Sequence, residues 1–213
     1  MSEPIRLAAL ISGGGRTLMN IADHIDAGTL HARIELVISS RAGAPGVAKA
    51  RARGFNTLVI ARRDFPAADD MHDAISKQLV ERQIDLVCLS GYLRLIRIDE
   101  PFRWRVMNIH PALLPDFGGL GMHGDNVHRA VIMAGKKVSG CTVHFVDERY
   151  DMGPIILQRT VPVYPEDDEH TLAMRVFEQE CIAYPQAISL FAQGRLRVEN
   201  GTVTILPGEE PGG

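Results

Sequence analysis

The chain contains few of the residues that mark specialised classes of protein. It has three cysteines and one tryptophan among 213 residues, and aromatic residues make up 6%. Cys88, Cys141 and Cys181 are odd in number, widely separated and set in apolar patterns, which favours buried reduced thiols over a disulfide framework or a zinc site. No run approaches 18 consecutive apolar residues, so the sequence predicts no membrane-spanning helix.

Neither sign of charge is in large excess. The chain has 23 Lys and Arg against 26 Asp and Glu, a net charge of −3, which provides no broad cationic surface for nucleic acid or anionic lipid. Because the first residues lack a secretory signal pattern, we expect a cytoplasmic protein with small-molecule partners, acting as a monomer or homodimer. The length predicts one domain over residues 1–206 and a disordered tail over residues 207–213.

Apolar runs alternate with helical patterns through the first half of the chain. We expect strands over residues 7–11, 34–39, 57–60, 84–89 and 105–109, and helices over residues 18–25, 45–53 and 69–83. Almost wholly apolar strands separated by helices predict a parallel sheet with helices on both faces. The fold class is therefore α/β and Rossmann-like, and ligands are expected at the carboxyl ends of the strands.

The pattern changes in the C-terminal third. Residues 140–145 and 155–163 are β-rich and are joined by the short turn Asp151-Met-Gly-Pro, which predicts antiparallel pairing and a mixed sheet. A long helix is expected over residues 169–193, with a bend at Pro185. Residues 195–199 and 202–206, joined by Asn-Gly, predict a terminal hairpin.

A glycine-rich loop follows the first predicted strand. The residues Gly13-Gly14-Gly15 precede a helix, so backbone N–H groups and the helix N-terminus favour an anion such as phosphate, with Arg16 and Thr17 as further donors. The dinucleotide fingerprint is incomplete, because Leu18 stands where its third glycine belongs and no acid ends the second strand, which disfavours NAD. A purely structural turn is the alternative interpretation.

Three chemically active residues lie next to prolines or in tight turns. Residues 108–115 read Asn-Ile-His-Pro-Ala-Leu-Leu-Pro, and Asp151 begins the later turn. Asn108 and His110 lie two apart at the end of a strand, so their side chains are expected on one face. An imidazole that moves protons, an amide that donates to an oxyanion and an acid that orients the imidazole suit attack on a carbonyl carbon. The alternative is a core histidine beside a proline-rich loop.

A possible metal site lies further on, where His123, Asp125 and His128 are close in sequence. Their spacing matches no standard zinc pattern. We therefore expect no metal, and we interpret the segment as a mobile rim of the pocket.

The chain resembles the folate-dependent formyltransferases over nearly its whole length. The resemblance is carried by these motifs: Ala9-Leu-Ile-Ser-Gly-Gly-Gly, Gly91-Tyr-Leu-Arg-Leu-Ile, Asn108-Ile-His-Pro-Ala-Leu-Leu-Pro, Gly140-Cys-Thr-Val-His-Phe-Val-Asp, Asp151-Met-Gly-Pro-Ile-Ile and Arg175-Val-Phe-Glu-Gln-Glu. It implies formyl transfer from the co-substrate 10-formyltetrahydrofolate, without a metal. Within the family, the match is closest to the branch that formylates the amino group of glycinamide ribonucleotide in purine biosynthesis.

The resemblance also implies roles for individual residues. His110 would be the acid and base, Asn108 would hold the formyl oxygen, and Asp151 would favour a cationic His110, with His144 as possible support. The residues of the implied folate site are Tyr92, Leu93, Arg94, Leu95, Asn108, Asp147 and Asp151, with the turn over residues 146–151 closing over the ring. The residues of the implied acceptor site are Gly15, Arg16, Thr17 and Glu180.

Departures from the family pattern leave the acceptor open. Arg16-Thr17 stand where Ser-Asn is usual, and the segment over residues 117–128 is longer and richer in glycine. A basic residue that often meets the folate tail is absent from residues 66–69, although Arg62 and Arg63 lie close enough in sequence to substitute. Two alternatives therefore stay open. One is the same donor with another acceptor, such as an amino sugar nucleotide or water, and the other is a non-catalytic nucleotide-binding module.

Overall fold

The computed structural model describes residues 3–208, which form a seven-stranded sheet and a two-stranded hairpin. The strands of the sheet are β1 (Ile5–Ile11), β2 (Ala32–Ser39), β3 (Thr57–Val59), β4 (Leu86–Leu89), β5 (Val106–His110), β6 (Val138–Phe145) and β7 (Ile155–Pro162). Their order across the sheet is β3-β2-β1-β4-β5-β6-β7. The first five pair in parallel, and β6 and β7 pair antiparallel. The predicted mixed α/β fold is therefore confirmed.

Helices cover both faces of the sheet. They are α1 (Arg16–Asp26), α2 (Pro45–Ala52), α3 (Ala68–Glu81), α4 (Asp125–Met133) and α5 (Glu169–Ala192). Side chains from α1, α2, α4 and α5 pack against the face of β1 that carries Leu7, Ala9 and Ile11. Helix α3 packs against the opposite face, which carries Ala8 and Leu10. The apolar strands are buried because both faces are covered.

The position of β1 explains where a ligand pocket forms. The chain moves from β1 outward to β2 and β3, and then returns to the other side of β1 to form β4. The loops that follow β1 and β4 therefore diverge at their carboxyl ends and leave a crevice between them. The glycine-rich loop follows β1, and the loop that begins at Ser90 follows β4, so both meet at this crevice.

Most predicted elements agree with the structure to within about two residues. The hairpin strands are β8 (Leu196–Glu199) and β9 (Thr202–Ile205), and α5 continues as one helix through Pro185. Helix α4 was not predicted, because its N-terminus lies inside the glycine-rich segment; the apolar residues Val127 and Val131, four apart and both buried, were the available signal. The predicted tail lies mostly outside the described residues.

Within residues 3–208, none of the helices is both long enough and apolar enough to span a bilayer.

The side chain of Tyr184 ties α5 to two neighbouring strands. Tyr184 is fully buried, and its hydroxyl oxygen lies 2.9 Å from the carbonyl oxygen of Met107 in β5 and 3.2 Å from that of Leu89 at the end of β4. The hydroxyl has one hydrogen, which the two carbonyls share. This contact fixes β5 at the residue before Asn108.

We expect Tyr184→Phe to destabilise the protein by about 1–3 kcal/mol, because two buried carbonyl groups lose a donor while the ring still fills its space. Urea unfolding followed by circular dichroism measures the change. Tyr164→Phe is the control, since Tyr164 is 47% exposed. An equal loss of stability in both variants would contradict this interpretation of the Tyr184 hydroxyl.

Candidate active site

A cavity of about 420 Å³ lies at the crevice between the carboxyl ends of the strands. Its walls come from the loops that follow β1, β4 and β5, the segment over residues 119–125, the turn before β7, and α5. The predicted site residues that line it are Arg16, Thr17, Tyr92, Leu93, Arg94, Leu95, Asn108, His110, His144, Asp151 and Glu180. Residues from distant parts of the sequence are therefore gathered around one space, as the sequence predicted.

Strand register places the central polar groups. Asn108 and His110 both lie on β5 and both contact Asp151, whereas Met107 and Ile109 belong to the hydrophobic core, as two-residue periodicity requires. In the antiparallel ladder Asn108 pairs with His144 of β6, which brings the Asn108 amide nitrogen within 3.2 Å of His144 Nε2. His144 Nδ1 lies 2.8 Å from the carbonyl oxygen of Phe145 and donates to it. The Nε2 atom of His144 therefore accepts from Asn108.

The carboxylate of Asp151 contacts three segments of the chain. Oδ2 accepts a hydrogen bond of 2.9 Å from the backbone N–H of Gly119 and lies 3.5 Å from His110 Nδ1. Oδ1 lies 3.3 Å from the Asn108 amide nitrogen, which donates to it, and 3.6 Å from His144 Nε2. The expected meeting of amide, imidazole and carboxylate is therefore present in the structure.

The second nitrogen of His110 is fixed by the backbone. Nε2 lies 2.8 Å from the carbonyl oxygen of Phe117, and because a carbonyl only accepts, Nε2 carries a hydrogen and donates it. The Nδ1 atom then faces Asp151 and is the nitrogen that gains and loses a proton. Phe117 has φ of 56°, an uncommon backbone conformation for a residue with a side chain. This conformation is part of the turn that brings its carbonyl to His110.

Two opposing effects act on the ionisation of His110. Burial has the larger effect and places its pKa below the ordinary value, while the Asp151 charge raises the pKa, in the expected direction, and the Phe117 carbonyl acts in the same sense. Burial dominates because His110 is only 3% exposed and removal from water disfavours the charged form. At pH 7 the resting imidazole is neutral, and Asp151 stabilises the cation only after a proton arrives.

Asp151 stays ionised in the same surroundings. Burial opposes its ionisation, but the contact with His144, the charge that His110 carries when it is protonated, and the Gly119 N–H together hold its pKa below the ordinary value. Hydrogen-bond donors aimed at a carboxylate favour its charged form. The site therefore contains a fixed negative charge next to a neutral base.

The other end of the cavity contains a cation and a carboxyl group. The guanidinium carbon of Arg16 lies 4.2 Å from the centre of the Phe177 ring on α5, a distance typical of a cation–π contact. Glu180 lies one helical turn further along α5 and also lines the cavity. Burial raises the pKa of Glu180 to about 7, although the charge of Arg16 works in the opposite direction. Glu180 therefore changes charge near neutral pH.

The loop after β4 forms an apolar wall. Tyr92, Leu93, Arg94 and Leu95 all line the cavity, together with Ile96 and with Val146 from across the opening. The phenol oxygen of Tyr150 lies 3.1 Å from the Leu95 backbone nitrogen and accepts its hydrogen. This bond links the loop to the turn over residues 146–151, which was predicted to close over the same ligand.

Some predicted residues lie outside the cavity wall. Gly15 does not line the cavity but precedes α1 with φ of 70°, a left-handed conformation that glycine adopts readily. Asp147 accepts a 2.8 Å hydrogen bond from the backbone nitrogen of Arg149 and so shapes its turn instead. Arg62 donates to the carbonyl of Phe65 at 2.7 Å, and neither it nor Arg63 lines the cavity. The expected substitution for a basic residue at the folate tail is therefore not seen in this conformation.

The segment considered as a metal site also reaches the cavity. His123, Asp125 and His128 line it, but within residues 3–208 no cluster of three or more histidine, cysteine, aspartate or glutamate side chains has an arrangement that could hold a metal ion. His128 is 4% exposed, and burial lowers its pKa to about 4. A neutral His128 therefore contributes to the cavity wall. The charge of Asp125 opposes the lowering of its pKa, and the charge of Arg16 adds to it.

Sequence reasoning missed three contributors to the site: the Phe117 carbonyl, the Gly119 N–H and the Phe177 ring. The first two are backbone groups, and their positions cannot be predicted from the type of residue that carries them. Phe177 stands three residues before Glu180 on the predicted helix, and that i, i+3 spacing was the available signal.

Comparison with known proteins agrees with this geometry. Residues 5–188 match the family model described as formyl transferase. The chain belongs to the formyl transferase family. It is 38% identical over 197 residues to a phosphoribosylglycinamide formyltransferase of Haemophilus influenzae, covering 92% of this chain and 91% of that protein. The resemblance noted from the motifs is therefore confirmed.

Two further comparisons differ in extent. A trifunctional purine biosynthetic protein adenosine-3 of Drosophila pseudoobscura pseudoobscura is 40% identical over 202 residues, which are 92% of this chain but only 14% of that relative's length. Among solved structures, glycinamide ribonucleotide transformylase 1 from Symbiobacterium toebii superposes with a TM-score of 0.90 at 41% identity, covering 97% of this chain and 96% of that one. A formyltetrahydrofolate deformylase from Pseudomonas syringae shares the fold, with a TM-score of 0.85 at 20% identity.

Glu180→Gln should make stability less dependent on pH. The pKa of Glu180 rises from 4.5 to about 7 on folding, so between these values the folded state binds more protons and the wild type loses stability as pH rises. We expect the variant to gain melting temperature relative to wild type at pH 8 and to lose this advantage at pH 5. Glu178→Gln, an exposed neighbour on α5, is the control, and an unchanged difference between the two pH values would contradict the prediction.

Proposed function

We propose that this chain transfers the formyl group of 10-formyltetrahydrofolate to the amino group of glycinamide ribonucleotide, an activity in keeping with the names of its relatives. The observation that carries the proposal is the contact of Asp151 with both Asn108 and His110 inside the cavity. An ionised carboxylate, a neutral imidazole and an amide around one space are the groups that acyl transfer uses.

The cavity has walls suited to a folate. The apolar side chains of Leu93, Leu95, Ile96 and Val146 line it and suit a flat heterocycle, and Asn108, His110 and Asp151 supply polar groups beside them. Pockets that bind such molecules combine apolar walls with a few placed polar groups. The co-substrate supplies the formyl carbon, and the protein supplies the position and the proton transfers.

His110 moves the proton. At rest Nδ1 carries no proton, because burial lowers the pKa of His110. This nitrogen therefore accepts a proton from the attacking amine. The imidazolium that forms lies 3.5 Å from the carboxylate of Asp151, which stabilises it. The same nitrogen then returns the proton to the departing folate nitrogen. The imidazole of His110 keeps one orientation throughout, because the carbonyl oxygen of Phe117 accepts the hydrogen of Nε2.

Asn108 is placed to meet the formyl oxygen. Its amide nitrogen already donates to Asp151 and His144, so both of its hydrogens are engaged before substrate arrives. To stabilise an oxyanion, Asn108 must therefore redirect one amide hydrogen from Asp151 or His144 to the substrate oxygen. His144 fixes the amide for this role, because its Nδ1–H is bound to the Phe145 carbonyl and its Nε2 only accepts.

The acceptor end explains why we favour a phosphorylated amine over water. Arg16 and Thr17 provide a guanidinium and a hydroxyl at the start of α1, where the helix N-terminus favours an anion. Glu180 lies nearby as an acceptor for ribose hydroxyls. A formyltetrahydrofolate hydrolase would not need an anion-binding group such as Arg16. A non-catalytic nucleotide-binding module would not need Asp151 and His110.

We also propose that residues 1–206 act as one formyltransferase domain, which works in the cytoplasm as a monomer or homodimer and binds no nucleic acid. Analytical ultracentrifugation decides between the two assembly states.

His110→Ala should lower kcat by about 10²–10⁴, because general acid and base help has that typical size. Binding of tetrahydrofolate, measured by calorimetry, should change little. His170→Ala, a surface histidine at the start of α5, is the control. Full turnover by His110→Ala would end the catalytic assignment and favour the non-catalytic module.

The acceptor is identified by incubating the protein with 10-formyltetrahydrofolate and a panel of amines while tetrahydrofolate release is followed. We expect turnover with glycinamide ribonucleotide and slow release without an amine. Turnover with another amine but not with glycinamide ribonucleotide would show that the proposed acceptor is wrong and that the proposed donor is right.

Phe177→Leu should raise the KM for the acceptor by about threefold to tenfold and leave kcat and the KM for folate nearly unchanged. The reason is that the ring face holds Arg16, and cation–π contacts are worth about 0.5–2 kcal/mol. Tyr164→Leu is a matched control, since Arg175 lies 4.4 Å from the centre of that ring and neither residue lines the cavity. An unchanged acceptor KM in Phe177→Leu would show that Arg16 needs no such support.

A further inference from the structure

We propose that the hydroxyl of Ser12 is a positioning group that couples the acceptor end of the cavity to the folate end, so that each ligand strengthens binding of the other. The inference rests on the proposed function for the identity of the two ligands. Ser12 does not line the cavity, and it acts through the two loops that do.

Ser12 joins three segments at the carboxyl ends of β1, β2 and β4. It is 3% exposed. Its Oγ accepts a 3.0 Å hydrogen bond from the backbone N–H of Leu93 and lies 2.6 Å from Oγ of Ser40. Its own backbone N–H donates to the carbonyl of Gly91 at 3.0 Å. One residue therefore holds the start of the loop after β4 from two sides.

Few other bonds hold this loop. Among the residues that the structure describes, three hydrogen bonds tie residues 91–95 to other segments. Two are made with Ser12, which donates one and accepts the other, and in the third the Leu95 N–H donates to Tyr150. Tyr150 itself lines the cavity, so this bond links two parts of the ligand site. Ser12 is the anchor on the side of the sheet.

The same residue begins the acceptor loop. Gly13, Gly14 and Gly15 follow Ser12 directly and lead to Arg16 and Thr17. If this glycine-rich backbone shifts when it binds a phosphate, Ser12 shifts with it. The hydrogen bond between Ser12 and Leu93 then displaces the loop after β4, which lines the folate end of the cavity. Conversely, a folate that orders the loop restrains Ser12. A ligand that binds to an already restrained site has less ordering left to do, which gives positive coupling in both directions.

Loss of the hydroxyl has a defined local consequence. A Ser12→Ala chain keeps the backbone bond to Gly91 but leaves the Leu93 N–H without its acceptor and Ser40 without its partner. Unmade buried hydrogen bonds are costly, so the loop adopts other positions before a ligand arrives.

The test is a binding cycle with a pair of ligands that cannot react. Calorimetry measures the Kd of tetrahydrofolate with and without saturating glycinamide ribonucleotide. In the wild type we expect glycinamide ribonucleotide to tighten tetrahydrofolate binding about fivefold, the lower end of typical couplings. In Ser12→Ala we expect less than about a twofold effect, and we expect Ser12→Thr, which retains the hydroxyl, to recover most of the coupling.

Ser39→Ala is the matched control. Ser39 is an equally buried serine at the end of β2, but its hydroxyl bonds only the backbone of Arg41, at 2.8 Å to the carbonyl and 3.2 Å to the nitrogen. It should retain the wild-type coupling. If Ser12→Ala does not fold, as judged by its melting curve, Ser12→Cys provides the same comparison, because a thiol is a weak acceptor.

The possible failures are distinct. If both ligands bind the wild type but do so independently, or if folded Ser12→Ala retains the full coupling, the proposed role of Ser12 is overturned and the catalytic proposal stands. If glycinamide ribonucleotide does not bind the wild type at all, the proposed acceptor is wrong and the coupling proposal falls with it.

Discussion

The carboxylate of Asp151 is the contact on which the active site depends. It joins the turn before β7 to the end of β5 and to the segment at Gly119, which lie more than 30 residues earlier in the chain. A buried charge is tolerated only when hydrogen bonds satisfy it, and here donors from Gly119 and Asn108 do so. The fixed charge allows a neutral His110 to become cationic during turnover, since the cost of burying that cation is partly offset by its neighbour.

The sheet supplies this arrangement through register and topology. The pairing of Asn108 with His144 across the antiparallel ladder sets the amide, while the change of direction at β1 opens the crevice. Tyr184 holds the β4 and β5 ends against α5. The chemical groups are thus carried on rigid strands, and the ligand walls are carried on loops, which is a division common to α/β enzymes.

Local patterns predicted the elements well, because apolar periodicity and turn residues act over a few neighbours. Two-residue spacing predicted that Asn108 and His110 lie on one face of β5, and their shared contact with Asp151 confirms this. Helix α4 was missed where glycines obscured its start. The residue roles implied by the family resemblance remain predictions. The net lowering of the His110 pKa was not predicted, because it follows from burial, and burial depends on the folded chain as a whole.

The sequence by itself determined the α/β class, the family and the types of reactive groups, since these follow from periodicity, proline and glycine positions, and motifs. Only the tertiary structure decided which groups meet and in what ionisation state. The orientation of His110 rests on the backbone carbonyl of Phe117, and the stacking of Arg16 rests on a ring from α5. Such contacts depend on the path of the backbone and on the exclusion of solvent, and both are set only once the chain has folded.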